Sequence, residues 1–298
     1  MTFAALLSLL ALQVGPNSSQ TAVQAPLEPP APRGRPQAEA PAEARARAAP
    51  VMDGLTEGRY RACVARVREN PEQAIQAASA WRVDGGGIYA RLCLGLAYVA
   101  LERWSPAATV YEQAAEEAQR AGDIRRADFL VQAGNAWIAA AEPTRAVLAF
   151  DAALATTNLS DELRGEVHLD RARAMVALGN PTAARQDIDR AVALVPNDAM
   201  GWYLSAELAR RENNPARAQT DIQRALAQAG DNPDIVLLAG TIAGQRGDTA
   251  RAEALYRRVA EGAPNSEAGR AAQASLATLP ARAAPAQTPA PTPPRPLG

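Results

Sequence analysis

Small side chains recur along this chain every 34 residues, and that recurrence limits the fold more than any other feature. Ala172, Ala206 and Gly240 stand in one column. Ala184, Ala218 and Ala252 form a second, Ile188, Ile222 and Tyr256 a third, and Ala191, Ala225 and Val259 a fourth. Between the first two columns each copy carries a helix stop and a helix start: Gly179-Asn180-Pro181, Asn213-Asn214-Pro215 and Gly247-Asp248-Thr249. Proline suits the first turn of a helix, where its missing N–H costs nothing. Further turns close the copies at Val195-Pro196-Asn197-Asp198, Gly230-Asp231-Asn232-Pro233 and Ala263-Pro264-Asn265-Ser266. Each unit therefore reads as helix, tight turn, helix, turn. Neither helix can bury its apolar stripe alone, so the units must stack.

Composition agrees with many thin helix contacts. Apolar residues make up 48% of the 298, but aromatics only 4%, and much of the rest is alanine. Alanine favours helix and lets helices approach closely, while each one buries little area.

The pattern resembles the tetratricopeptide repeat family, in which the eighth position is small, the twentieth and twenty-seventh are usually Ala, the twenty-fourth is large and the thirty-second is often Pro. Counting from 165, 199 and 233, this chain supplies Ala172, Ala184, Ile188, Ala191 and Pro196; then Ala206, Ala218, Ile222 and Ala225; then Gly240, Ala252, Tyr256 and Pro264. Trp202 stands at the fourth position, where the family often has Trp. Small residues at the crossing of two antiparallel helices let them close up, and a large residue fills the gap to the next hairpin. Two earlier units fit with short extensions near Gly122-Asp123 and Asn158-Leu159-Ser160. One has Gly134, Trp137, Glu142-Pro143, Ala146, Phe150 and Ala153; the other has Leu94-Gly95, Tyr98, Ala107, Tyr111 and Ala114.

The resemblance implies an all-α fold, an α-solenoid of stacked antiparallel helix hairpins wound as a right-handed superhelix. The expected organisation is a helical domain over 51–279, with repeats near 88–121, 127–160, 165–198, 199–232 and 233–266. A degenerate unit near 55–87, with Ala62, Asn70-Pro71, Ala74 and Trp81, precedes them, and a capping helix at 267–279 follows.

The ends differ in character. The apolar run 3–14 (FAALLSLLALQV) is too short to span a bilayer and fits the apolar core of a secretory signal over 1–15. No Lys or Arg precedes it and no clean small-residue cleavage site follows, so an uncleaved anchor and a cytoplasmic protein stay open as alternatives to a periplasmic or secreted one. Residues 16–50 and 280–298 are Pro- and Ala-rich and cannot bury enough apolar surface to offset ordering. They are expected to be a disordered linker and a disordered tail. A ligand role for the Pro-rich tail is the alternative to a solvated spacer.

No motif for chemistry emerges. There is no Lys, which excludes Schiff-base and P-loop lysine chemistry, and no GxSxG, HExxH or GxGxxG after a strand. His168 is the only histidine and cannot make a zinc site alone; it reads as a packed or half-exposed helix residue. No cofactor, no metal and no catalytic residue is expected. The net charge of −1 gives no reason to expect nucleic acid. Cys63 and Cys93 fall on neighbouring first helices, so a bridge pinning the weak first unit and a pair of reduced core thiols both stand.

The resemblance implies another protein as partner, a peptide or helix held on the concave face of first helices. The residues at those positions are Tyr89, Leu92, Leu96, Asn135, Ile138, Glu166, Arg173, Tyr203, Glu207 and Arg210. Part of that face packing internally, or against the chain's own tails, is the competing reading. Some family members grip a C-terminal carboxylate with Lys and Asn; Asn135 matches such an Asn, but Val131 stands where a Lys is expected, which argues against that partner class. The function expected is a non-enzymatic interaction scaffold or adaptor in a bacterial envelope-associated complex. A cytoplasmic co-chaperone-like regulator is the alternative, and a ligand binder or enzyme using the stack as a shell is the reading from another class.

Overall fold

The computed structural model describes residues 53–157 and 159–279. The signal-like run 1–15, the linker 16–50, the tail 280–298 and Asn158 of the second extension lie outside the described residues. Among the described residues there are thirteen helices and no strand. They are α1 (Gly54–Glu69), α2 (Pro71–Val83), α3 (Gly87–Ala100), α4 (Trp104–Ala121), α5 (Arg126–Ala139), α6 (Pro143–Leu154), α7 (Asp161–Ala177), α8 (Pro181–Leu194), α9 (Ala199–Arg211), α10 (Pro215–Ala229), α11 (Pro233–Gln245), α12 (Thr249–Gly262) and α13 (Glu267–Thr278). The fold is an all-α helical repeat of the solenoid class.

The last three hairpin turns are built by one local device. A residue with left-handed backbone ends the first helix, the next residue caps the second, and the third opens it. Gly179 (φ 71°), Asn180 and Pro181 do this between α7 and α8; Asn213 (φ 54°), Asn214 and Pro215 do it between α9 and α10; Gly247 (φ 83°), Asp248 and Thr249 do it between α11 and α12. The Asn180, Asn214 and Asp248 side chains accept from the N–H of Ala183, Arg217 and Arg251, each at 3.1 Å. Such caps satisfy helix N–H groups that have no intrahelical partner. Between hairpins, Ser160, Asn232 and Ser266 cap α7, α11 and α13 in the same way.

The chain divides into two compact units at Ser205 and Ala206, within α9. In the first, α1 to α8 each pack on the next, and α1 meets α3 and α5 meets α7. In the second, α10 to α13 pack in sequence and α11 also meets α13. The helix crossings run on complementary sizes. Where the small position is Gly, an aromatic ring lies on it: a Cβ on Gly95 would sit 2.6 Å from Tyr111, on Gly134 2.5 Å from Phe150, and on Gly240 2.7 Å from Tyr256. Where it is Ala, the residue sixteen positions on is Ile: Ala172 with Ile188 and Ala206 with Ile222, all buried. A Cβ is thus present only where the opposing ring is absent, which keeps each crossing close-packed.

The degenerate unit departs from its sequence reading. Ala62, the expected small crossing residue, is exposed, and Tyr60 and Cys63 turn inward instead. Cys63 and Cys93 are joined as a disulfide between α1 and α3, with Cα atoms 6.2 Å apart. Trp81, at a position where the pattern has Ala, is 5% exposed and lies against Gly86, where a Cβ would strike the indole. The Arg59 guanidinium covers the same ring at 5.2 Å.

His168 is buried. Its Nδ1 lies 2.9 Å from Asp187 Oδ1, and Arg171 donates to the same oxygen at 3.2 Å while holding Asp151 at 3.0 Å. The group ties α7 to α6 and α8. Among the described residues no cluster of His, Cys, Asp or Glu could hold a metal ion, and no helix is long and apolar enough to cross a membrane.

Candidate partner-binding face

In the first unit, α3, α5 and α7 are the first helices of consecutive hairpins, and they carry most of the residues singled out from the sequence. Leu92 is an exception: at 4% exposure it belongs to the core and offers no open surface. Tyr89, Leu96 and Ile138 are half-buried, and Tyr89 and Ile138 pack one side against the core. Tyr89 meets Tyr60 edge to face at 5.9 Å, and the Arg125 guanidinium lies over its ring at 4.8 Å. Asp123 holds that guanidinium with bonds of 2.6 to 3.2 Å and is itself buried. The repeat spacing gives no sign of Arg125 and Asp123. They lie in the extension after α4, where the 34-residue frame slips.

Asn135 on α5 reaches across to α7 and hydrogen-bonds the Asp170 carboxyl. Arg173 donates to Asp170 at 3.2 Å. The side chain at the family's carboxylate-gripping position therefore holds an internal carboxylate. Glu166, one turn before Asp170, is exposed. Asp198 caps α9, accepting from the N–H of Met200 and Gly201.

The electrostatics of this face are acidic. Burial pushes the Asp170 carboxyl up, against the opposing pull of Arg173 and Asn135. Partial desolvation also raises Glu166, and repulsion from Asp170, Asp198 and Glu162 adds to it. Asp128 at the start of α5 is raised by burial, with Asp123 adding and Arg125 opposing. A carboxyl raised this way sits where negative charge is already crowded.

Tyr203, also in the first unit, is half-buried. In the second unit Glu207 accepts from Arg210 at 2.8 Å and from Arg211 at 2.7 Å. Burial opposes ionisation of Glu207, but these arginine hydrogen bonds outweigh it and hold the carboxyl below its ordinary value. A half-open depression of about 240 Å³ in this unit is lined by Gln219, Gln223, Ala243, Arg246, Asp248 and Arg251. Asp248 is engaged there as the α12 cap, and Arg246 donates to the Pro215 carbonyl.

Comparison with known proteins agrees with the repeat. Two family models described as tetratricopeptide repeat match residues 165–208 and 203–267. Among solved structures, PilW, a widely conserved type IV pilus biogenesis factor, superposes with a TM-score of 0.60 at 17% identity over 74% of this chain and 98% of its own. PilF of Pseudomonas aeruginosa gives 0.57 at 19% identity over 74% and 97%. A thermophilic TPR protein of Thermus thermophilus gives 0.52 at 21% over 64% and 99%. At these identities the likeness carries the fold. No curated protein matches the chain.

Proposed function

We propose, from the premise that this chain belongs to the tetratricopeptide repeat family, that it is a non-enzymatic scaffold holding a peptide or helix of another protein on the first-helix face of α3, α5 and α7. The observation that carries the reading is the strip itself. The Tyr60–Tyr89–Arg125 contacts bind α1, α3 and the entry to α5, and Asn135–Asp170 binds α5 to α7. Leu96, Ile138 and Glu166 are left accessible along that strip. Apolar patches rimmed by charge on rigid helices are what a groove for an amphipathic helix or extended peptide needs. The surroundings of His168, Asp170 and Glu207 are accounted for by packing and ion pairing, which supports the non-enzymatic reading.

The proposed setting is an envelope-associated complex outside the cytoplasm. The apolar run at 3–14 supports export, and the Cys63–Cys93 bridge supports an oxidising compartment, because cytosolic thiols are kept reduced. The fold likeness to pilus biogenesis factors is compatible with this setting.

Photocrosslinking tests the docking face directly. A benzophenone side chain placed at Leu96 or Glu166 in the native host should give a discrete protein adduct. The same probe at Leu148, exposed on α6, should not. Adducts from Leu148 alone, or none from either first-helix position, would refute the assignment.

A further inference from the structure

We propose that the partner held on the first-helix face of the first unit is a basic amphipathic segment of another protein, with its apolar side over α3 and its Arg or Lys side chains over α7. The inference rests on the docking-face reading above and adds the partner's chemistry to it.

Glu162, Glu166 and Asp170 follow one another at four-residue steps along α7. Like charges at that spacing destabilise a helix by a few tenths of a kcal/mol per pair. Local duties explain Glu162, which hydrogen-bonds to Ser160 at the α7 N-terminus, and the neighbouring Asp198, which caps α9. Glu166 has no such duty, and no ion pair to it occurs among the described residues. Asp170 has Arg173 and Asn135.

Four other arginines of these hairpins are committed elsewhere. Arg171 holds Asp151 and Asp187; Arg185 donates to Ser205 at 2.9 Å; Arg91 pairs with Glu117 at 3.1 Å; Arg145 stacks on Trp137 and pairs with Glu112. Among the described residues, Arg173 is the one guanidinium with a bond to the acidic group on α7, through Asp170. A partner carboxylate would meet Asp170 and Glu166 at close range. A partner cation would relieve their repulsion, and the half-buried Tyr89, Leu96 and Ile138 provide the apolar seat beside them. Charge complementarity of this kind chooses a partner and its register more than it adds raw affinity.

The test uses the full chain and two fluorescein-labelled amphipathic peptides of equal length and identical leucine pattern, one with Arg and Lys at its polar positions, the other with Glu. Anisotropy should show the basic peptide binding about tenfold tighter or more, with a preference that shrinks as salt rises. Glu166→Gln, at an exposed site that leaves the core intact, should weaken the basic peptide severalfold and should not weaken the acidic one. Equal binding of the two peptides, binding of neither, or indifference to both salt and Glu166→Gln would overturn the inference. The docking face itself stands or falls on the photocrosslinks at Leu96 and Glu166. The chain's own segment with Arg33, Arg35, Arg45 and Arg47 is the rival occupant. If the basic peptide binds only after all four are changed to Gln in the full chain, the face belongs to that segment and the assignment to a partner is overturned.

Discussion

Glu166 shows how one side chain links stability to pH. Partial desolvation and three neighbouring carboxylates raise its pKa in the folded chain above the ordinary value. The folded state therefore binds that proton more tightly than the unfolded one, and stability falls as pH rises through the folded pKa. Glu166→Gln removes the repulsion. It should raise stability at pH 7 by about 0.2–1 kcal/mol, because the exposed side chain is well screened, and the gain should fade below about pH 4. Denaturant unfolding at the two pH values measures it; an unchanged or lower stability at pH 7 would show that the crowding costs nothing. His168, conspicuous as the lone histidine, needs no such account: Asp187 and its arginines explain it as packing.

At the scale of the helix pair, the deciding variable is volume at the crossing. Gly134 lies under Phe150, and a methyl there would meet the ring at 2.5 Å. Gly→Ala in a helix interior ordinarily gains up to about 1 kcal/mol. Here overpacking by about 1–3 kcal/mol should outweigh that gain. Adding Phe150→Ile should recover much of the loss, since Ala with Ile is the pair used at Ala172 and Ile188. A double-mutant cycle on thermal unfolding reads the coupling, which should be favourable and clearly above about 0.5 kcal/mol. Additive effects would mean the two positions do not share the crossing.

For the whole molecule, the bridge between α1 and α3 compensates for an irregular first hairpin. The cysteines are 30 residues apart. Closing a loop of that length in the unfolded chain contributes about 3–4 kcal/mol in the chain-entropy model. Cys63→Ser with Cys93→Ser should lose a stability of that order, and hydrogen exchange should rise first in α1 and α2. Protein purified from the periplasm should show no free thiol on labelling under denaturing conditions. Two reactive thiols would remove both the bridge and its support for export.

The sequence by itself determined the hairpin grammar. The left-handed residue, cap and helix opener at Gly179-Asn180-Pro181 and its two later copies are decided by local backbone energetics, and the small and large columns by helix geometry. The face was legible only in part. Helix periodicity placed Glu166, Arg173 and Asn135 on first helices, but it could not show that Asn135 binds Asp170, that Arg125 covers Tyr89, or that Leu92 is core. Those facts depend on how neighbouring hairpins are offset. The offset changes at each extension of the repeat, so a fixed spacing carries no record of it. Only the packed chain decides which charges meet, because Coulomb and burial terms act across space between residues far apart in sequence.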